Sequence, residues 1–346
     1  MDDAALLEGL LTRYSPTFSE EGAVSFLVEE MQRRGFQAHI DEAGNAVGVR
    51  GAGPRSIMLL GHIDTVPGYI DVHYEGDLLY GRGSVDAKGP LACFTAAASR
   101  VEPPPGWKLI VIGAVGEEGN SRGAQFVRDH YRPDAVIIGE PSKWERITLG
   151  FKGSLWCRYT VTHSQTHSAH SVESACEAAV RFWNEVSAWC QSVEPEGPMS
   201  FYQVTPSLRS MHSDADDGFN ETAEVAINLR LPPAVSVQQA VARLTELAGD
   251  GSLVIEDGAV DAYRSDKNNF AVRAMLASIR QAGGTPGFTL KTGTSDMNVV
   301  VPLWRCPTLA YGPGDSSLDH TPNEHTSIAE YHRAIEVLST ALTLMM

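Results

Sequence analysis

The chain has 346 residues, enough for roughly two domains of about 150 residues each. Its 43 acidic against 27 basic residues give a net charge of −16, which excludes nucleic acid and anionic membrane as general partners. No apolar run approaches the roughly 18 residues of a membrane span, and Met1-Asp2-Asp3-Ala4 lacks the basic and apolar parts of a signal peptide, so a cytoplasmic location is expected.

Residues 2–14 and 20–35 carry helical periodicity, the second run starting at Ser19-Glu20-Glu21-Gly22 and stopping at Gly35. Strands follow near 36–40 and 45–50, and then the apolar run Ile57-Met58-Leu59-Leu60. That run leads directly into Gly61-His62-Ile63-Asp64-Thr65-Val66-Pro67-Gly68. Gly81-Arg82-Gly83-Ser84-Val85-Asp86-Ala87-Lys88-Gly89 precedes an alanine-rich helix of about 90–100. Two more apolar strands come next. Residues 108–115 end in Gly116-Glu117-Glu118-Gly119, and residues 135–138 end in Gly139-Glu140-Pro141-Ser142. Apolar strands alternating with helices indicate a largely parallel sheet covered on both faces.

The pattern then changes to β-α-β-β-α-β, with strands near 154–162, 199–211, 221–231 and 253–256 and helices at 171–193 and 236–247. This is the order of a ferredoxin-like module, inserted because the α/β pattern resumes from about 265 with a helix at 268–282, a strand near 288–291 and a terminal helix at 327–344. Residues 302–322 read as loop-rich. The expected domains are therefore 1–152 with 264–346, and 153–263.

Ligands in open α/β sheets bind beyond the carboxyl ends of the strands, and three buried strands here finish in His62/Asp64, Glu117-Glu118 and Glu140. With Asp86 and His320 these give His62, Asp86, Glu118, Glu140 and His320 as candidate metal ligands. Alone, Asp86 would read as a helix N-cap and His320 as surface loop; the full set argues for a metal. The five cysteines are scattered and never form Cys-x-x-Cys, so any metal is held by histidine and carboxylate. Such donors suit zinc and also cobalt or manganese. Five ligands exceed the three of one catalytic zinc and suit two ions sharing a carboxylate. His62 and Asp64 are two residues apart, so one can bind metal while the other orients it. Glu117, beside Glu118, can serve as the base for an attacking water.

In these segments, together with Gly293-Thr294-Ser295-Asp296 and Asp319-His320-Thr321-Pro322-Asn323-Glu324, the chain resembles the di-zinc aminoacylase and carboxypeptidase clan. That clan includes succinyl-diaminopimelate desuccinylase and acetylornithine deacetylase. The resemblance implies a zinc-peptidase-like, mixed and largely parallel sheet flanked by helices, with the inserted module as lid and dimerisation domain. It implies two Zn2+ ions, one on His62 and Glu140, the other on Glu118 and His320, with Asp86 bridging. Asp64 would support His62 and Glu117 would be the general base. Within the clan, Lys291-Thr292-Gly293-Thr294-Ser295-Asp296-Met297-Asn298 and Gly312-Pro313-Gly314-Asp315 are similar to the hydrolases that release lysine or ornithine from the C-terminal glutamate of an amino-group carrier protein in lysine and arginine biosynthesis.

The same likeness expects a homodimer in which a lid histidine serves the partner's site. His163, His167 and His170 are the candidates, and the family pattern favours His167. Asn220, Arg230, Lys291, Thr294 and Ser295 are the expected substrate contacts, Arg230 because a guanidinium grips a carboxylate bidentately. The alternatives keep the catalytic groups and change the acyl part: a free N-acetyl-lysine or N-acetylornithine deacetylase, or another N-acyl amino acid hydrolase such as the desuccinylase.

Overall fold

The structure is a computed structural model and describes residues 2–167, 171–215 and 218–346. Helices α1 (Asp3–Leu11) and α2 (Glu21–Arg33) open the chain, and α2 stops before Gly35, whose φ of +87° costs glycine little. Strands β1 (Gln37–Ile40) and β2 (Ala46–Gly51) form a hairpin whose turn is held by Asp41, which accepts the N–H groups of Ala43 and Asn45. Strand β3 (Arg55–His62) is followed by the short hairpin β4 (His73–Glu75) and β5 (Leu78–Tyr80). Next come α3 (Lys88–Ser99), β6 (Trp107–Ala114), α4 (Arg122–His130), β7 (Ala135–Gly139) and β8 (Arg146–Phe151).

Two compact units emerge: residues 1–150, 264–290 and 295–346 form one, and residues 151–263 with 291–294 form the other. The smaller unit contains β9 (Gly153–Ser164), α5 (Ala175–Ser192), β10 (Thr205–Asp214), β11 (Asn220–Leu231), α6 (Val237–Ala248) and β12 (Ser252–Ile255). Its strands pair antiparallel in the order β10-β11-β9-β12, the ferredoxin-like arrangement of a β-α-β-β-α-β chain. Ser174 and Ser236 start the two helices, each in a reciprocal capping box with Glu177 or Gln239. The helices bury Phe182, Val186, Ala240 and Leu244 against the sheet residues Leu155, Tyr159, Ile227 and Leu229.

The chain returns to the larger unit through β13 (Tyr263–Arg264), α7 (Phe270–Gln281), β14 (Gly287–Lys291), α8 (Asp296–Trp304), β15 (Thr308–Tyr311), β16 (His325–Ser327) and α9 (Ile328–Met345). Its main sheet runs β1-β2-β6-β3-β7-β15-β8-β13, with β14 also on β8. The centre (β6, β3, β7, β15) is parallel and its margins antiparallel, which is the expected mixed sheet. Strand β3 is buried along almost its whole length. Ile57 and Leu59 join the main core with Leu91, Ile137 and Leu338, while Met58 and Leu60 face the opposite side of the strand and are equally buried. Two elements depart from the loop-rich reading of 302–322. Pro302 lies inside α8, two residues before its end, and buried β15 has only four residues, Thr-Leu-Ala-Tyr.

Candidate metal centre

The site is set by strand register. Gly61 of β3 stands opposite Gly113 of β6 and Gly139 of β7, so three parallel strands leave the sheet side by side. His62, the Glu117–Glu118 turn and Glu140 therefore project from adjacent strand ends. Asp86 arrives on the loop before α3. That loop packs so closely that a Cβ on Gly89 would lie 2.3 Å from the carbonyl oxygen of Ser84. His320 arrives after β15 with a φ of +61°, in the left-handed region that non-glycine residues occupy rarely and often at functional sites.

Asp86 occupies the middle of the cluster. Its Oδ1 is 3.1 Å from His62 Nε2, and its Oδ2 is 3.1 Å from His320 Nε2. His320 Nε2 is also 2.9 Å from Glu118 Oε1. Ligand atoms of Asp86, Glu118 and His320 all lie within 4.8 Å of one another. One imidazole nitrogen faces two carboxylate oxygens, and a single proton can bridge to only one of them at full strength, whereas a cation satisfies all three donors. Burial pushes Glu140 well above the usual carboxylate range, and the nearby charge of Asp86 adds to this. Uncompensated acids of this kind await a positive charge, so the donor set fits a metal.

His62 is fixed from behind. Its Nδ1 donates to the carbonyl oxygen of Asp64 at 3.0 Å, and Asp64 Oδ1 is 3.5 Å from the same nitrogen. Burial pulls this imidazole down, but its bonds to Asp64 and Asp86 overcome that and hold it well above its ordinary value. With Nδ1 engaged behind it, the ring turns Nε2 toward the Asp86 carboxylate, where a cation would stand. Asp64 has a second task that its spacing from His62 does not reveal. Its Oδ1 accepts the N–H of Glu117 at 3.0 Å, and its Oδ2 accepts the N–H of Glu118 at 3.1 Å and the hydroxyl of Thr17 at 2.8 Å. Asp64 therefore positions the His62 ring through its carbonyl and the Glu117–Glu118 backbone through its carboxylate.

Burial also pushes Glu117 well above its usual range, against the pull of the His62 charge. Burial raises Asp296 to about 7, and its Oδ1 has no hydrogen-bond partner among the described residues. Asp296 and Thr17 are site residues that sequence reasoning gave no role. Asp296 lay in a matched segment, whereas nothing in the sequence marks Thr17. Lys88 is fully buried, donating to the carbonyls of Leu10 and Arg13 at 3.1 and 2.8 Å, and burial lowers its ammonium to about 7.

Ser295 caps α8 in the larger unit, its hydroxyl accepting the N–H of Met297. The other expected substrate contacts belong to the smaller unit. There Arg230 Nη1 donates to Thr294 Oγ1 at 3.0 Å, the carbonyl of Lys291 accepts the N–H of Lys152, and Asn220 opens β11 opposite Ser164. His167 is exposed beyond the end of β9, His163 Nδ1 donates to the carbonyl of Glu173 at 2.9 Å, and His170 lies outside the described residues.

A sheet of this topology with histidines and carboxylates gathered at its strand ends defines a metal-dependent hydrolase. The chain belongs to peptidase family M20/M25/M40, whose sequence pattern matches residues 58–344. It is 47% identical over 332 residues to the LysW-lysine hydrolase of Deinococcus radiodurans, covering 94% of this chain and 91% of that one. It is 30% identical over 345 residues to the LysW-lysine/LysW-ornithine hydrolase of Sulfurisphaera tokodaii, covering 97% and 94%. Its fold is shared by the crystal structure of an M20 family metallo-carboxypeptidase from Sulfolobus solfataricus, with a TM-score of 0.79, 18% identity and coverage of 100% and 99%.

Proposed function

We propose that this protein hydrolyses the amide that joins lysine, or ornithine, to the C-terminal glutamate of a small amino-group carrier protein, in the cytoplasm. The observation that carries this reading is the 47% identity along 94% of the chain to a LysW-lysine hydrolase, with each candidate ligand present at a strand end or adjoining loop. His62 and Glu140 would hold one Zn2+, Glu118 and His320 a second, and Asp86 both. When bound, the ions lower the pKa of a shared water and polarise the amide carbonyl.

The chain's own residues do the rest. Asp64 keeps the lone pair of His62 Nε2 free for its task and fixes the turn that carries Glu117. Glu117, with a raised proton affinity, takes the proton of the attacking water and delivers it to the leaving amine. Arg230, which already donates to Thr294, would grip the substrate carboxylate, and Asn220, Lys291, Thr294 and Ser295 are each read as substrate contacts. We read the smaller unit as a lid through which two copies pair, with His167 of one copy stabilising the oxyanion in the other. Among the described residues β10 ends the strand order of its sheet, and exposed Met211 on it and exposed Phe219 beside β11 support pairing there.

The test is a substrate panel of carrier-linked lysine, carrier-linked ornithine, N-acetyl-lysine and N-succinyl-diaminopimelate, each with and without chelator. Carrier-linked lysine or ornithine should be cleaved fastest, and only with metal present. Preference for the succinylated or free acetylated compound would overturn the carrier assignment.

A further inference from the structure

The larger unit contains a buried ion pair that the reaction itself does not use. Glu324 is fully buried, and its Oε2 accepts Arg82 Nη1 at 2.7 Å. Its Oε1 accepts three backbone N–H groups, from Gly83, Val85 and Asp86, each at 3.0 Å. The Glu324 carbonyl accepts a further N–H from Gly81 at 3.2 Å. Arg82 spreads the pair's reach, with Nη1 donating to the Thr321 carbonyl at 3.1 Å and Nε to the Gly68 carbonyl at 2.9 Å. The two residues thus touch the segment after His62, the whole turn leading into Asp86, and the segment after His320. Three loops that are distant in sequence meet in one knot.

From this geometry we infer that Glu324 is a positioning residue for the metal centre: with Arg82 it sets the mutual spacing of His62, Asp86 and His320. The inference rests on the ligand reading given above. A carboxylate that collects three N–H groups on one oxygen fixes the loop more rigidly than any single side chain along it. The N–H of Asp86 is itself one of the three, so the restraint acts on the bridging residue directly. Partners of this kind, one layer behind the ligands, typically change metal affinity by about 10- to 100-fold when lost.

Zn2+ affinity of the folded protein, measured by competition with a chromophoric chelator, distinguishes this role from a purely structural one. A structural role alone lowers the melting temperature of the metal-free protein and leaves Zn2+ affinity untouched. Glu324→Gln is expected to bind Zn2+ about 10-fold or more weakly while keeping a native far-UV spectrum. Arg82→Lys, which keeps the charge and loses the fork to Gly68 and Thr321, is expected to show a smaller loss, and it carries the test if Glu324→Gln does not fold. Zn2+ affinity within twofold of wild type in a folded Glu324→Gln, or in Arg82→Lys when it stands alone, overturns the inference. An Asp86→Ala control locates that failure. If it weakens Zn2+ binding, only the positioning role falls; if it does not, the ligand reading falls too.

Discussion

Replacing Asp64 by asparagine probes the joint between His62 and the Glu117–Glu118 turn. The carboxylate accepts from the N–H groups of Glu117 and Glu118 and from Thr17, with His62 Nδ1 alongside. An amide keeps one accepting oxygen and turns an NH2 donor toward the other group of partners. If the oxygen stays with Glu118 and Thr17, the N–H of Glu117 faces another donor and goes unpaired in a buried place. One such donor costs about 1–3 kcal/mol, which corresponds to roughly 5- to 150-fold in an equilibrium constant. The loss should divide between two readouts. The metal-free protein should melt at a lower temperature, and the remaining fold should bind Zn2+ more weakly because the turn that carries Glu117 and Glu118 is no longer held through both N–H groups. Thermal melting in chelator and Zn2+ competition measure the two parts separately. An Asp64→Asn protein that matches wild type in both would refute the reasoning, since it would show that the four contacts carry no measurable energy.

Glu117→Gln should retain Zn2+ binding while its hydrolysis falls by about 10^2- to 10^4-fold, read as kcat with metal content measured on the same sample. A loss of bound metal in step with the loss of activity would instead make Glu117 a ligand. Zn2+ binding at pH 7 should release protons, because Glu117, Glu118 and Glu140 are raised by burial and His320 is raised to about 10 by its bonds to Asp86 and Glu118. Calorimetry in buffers of different ionisation enthalpy measures the number, and none released would contradict the cluster's electrostatics. The sign for stability follows from the same groups. A histidine with a raised folded pKa contributes fully below its unfolded value near 6.5 and loses that contribution as pH climbs through about 10. The stability that wild type owes to His320 over a His320→Gln variant should therefore shrink across that interval in calorimetric scans of the metal-free proteins, while Lys88, lowered to about 7 by burial, pulls the opposite way equally in both.

The strand ends were legible in the sequence because buried parallel strands read as unbroken apolar runs, so the polar residues after Leu60, Val115 and Ile138 stand out. The inserted module was legible for a different reason: its β-α-β-β-α-β order breaks the surrounding α/β alternation, and three of its strands run 10 to 12 residues. Helix α4 gave little signal, since only Gly123, Ala124 and Val127 are buried and its apolar stripe is thin. Helix α8 was obscured by Pro302 and β15 by its four-residue length. The hidden part of the site is the layer behind the ligands. Thr17 meets Asp64 across 47 positions, and Glu324 meets Asp86 across 238. No local periodicity or spacing encodes contacts of that range; they exist only once the sheet has brought the loops together.

The central claim is that Asp86 stands between two cations. Crystals of the Zn2+-loaded protein, examined by anomalous scattering at the zinc edge, test it directly. The account predicts two peaks about 3.5–4 Å apart on either side of the Asp86 carboxylate, one against His62 and Glu140 and the other against Glu118 and His320. A single peak, or a pair that leaves Asp86 untouched, would contradict it.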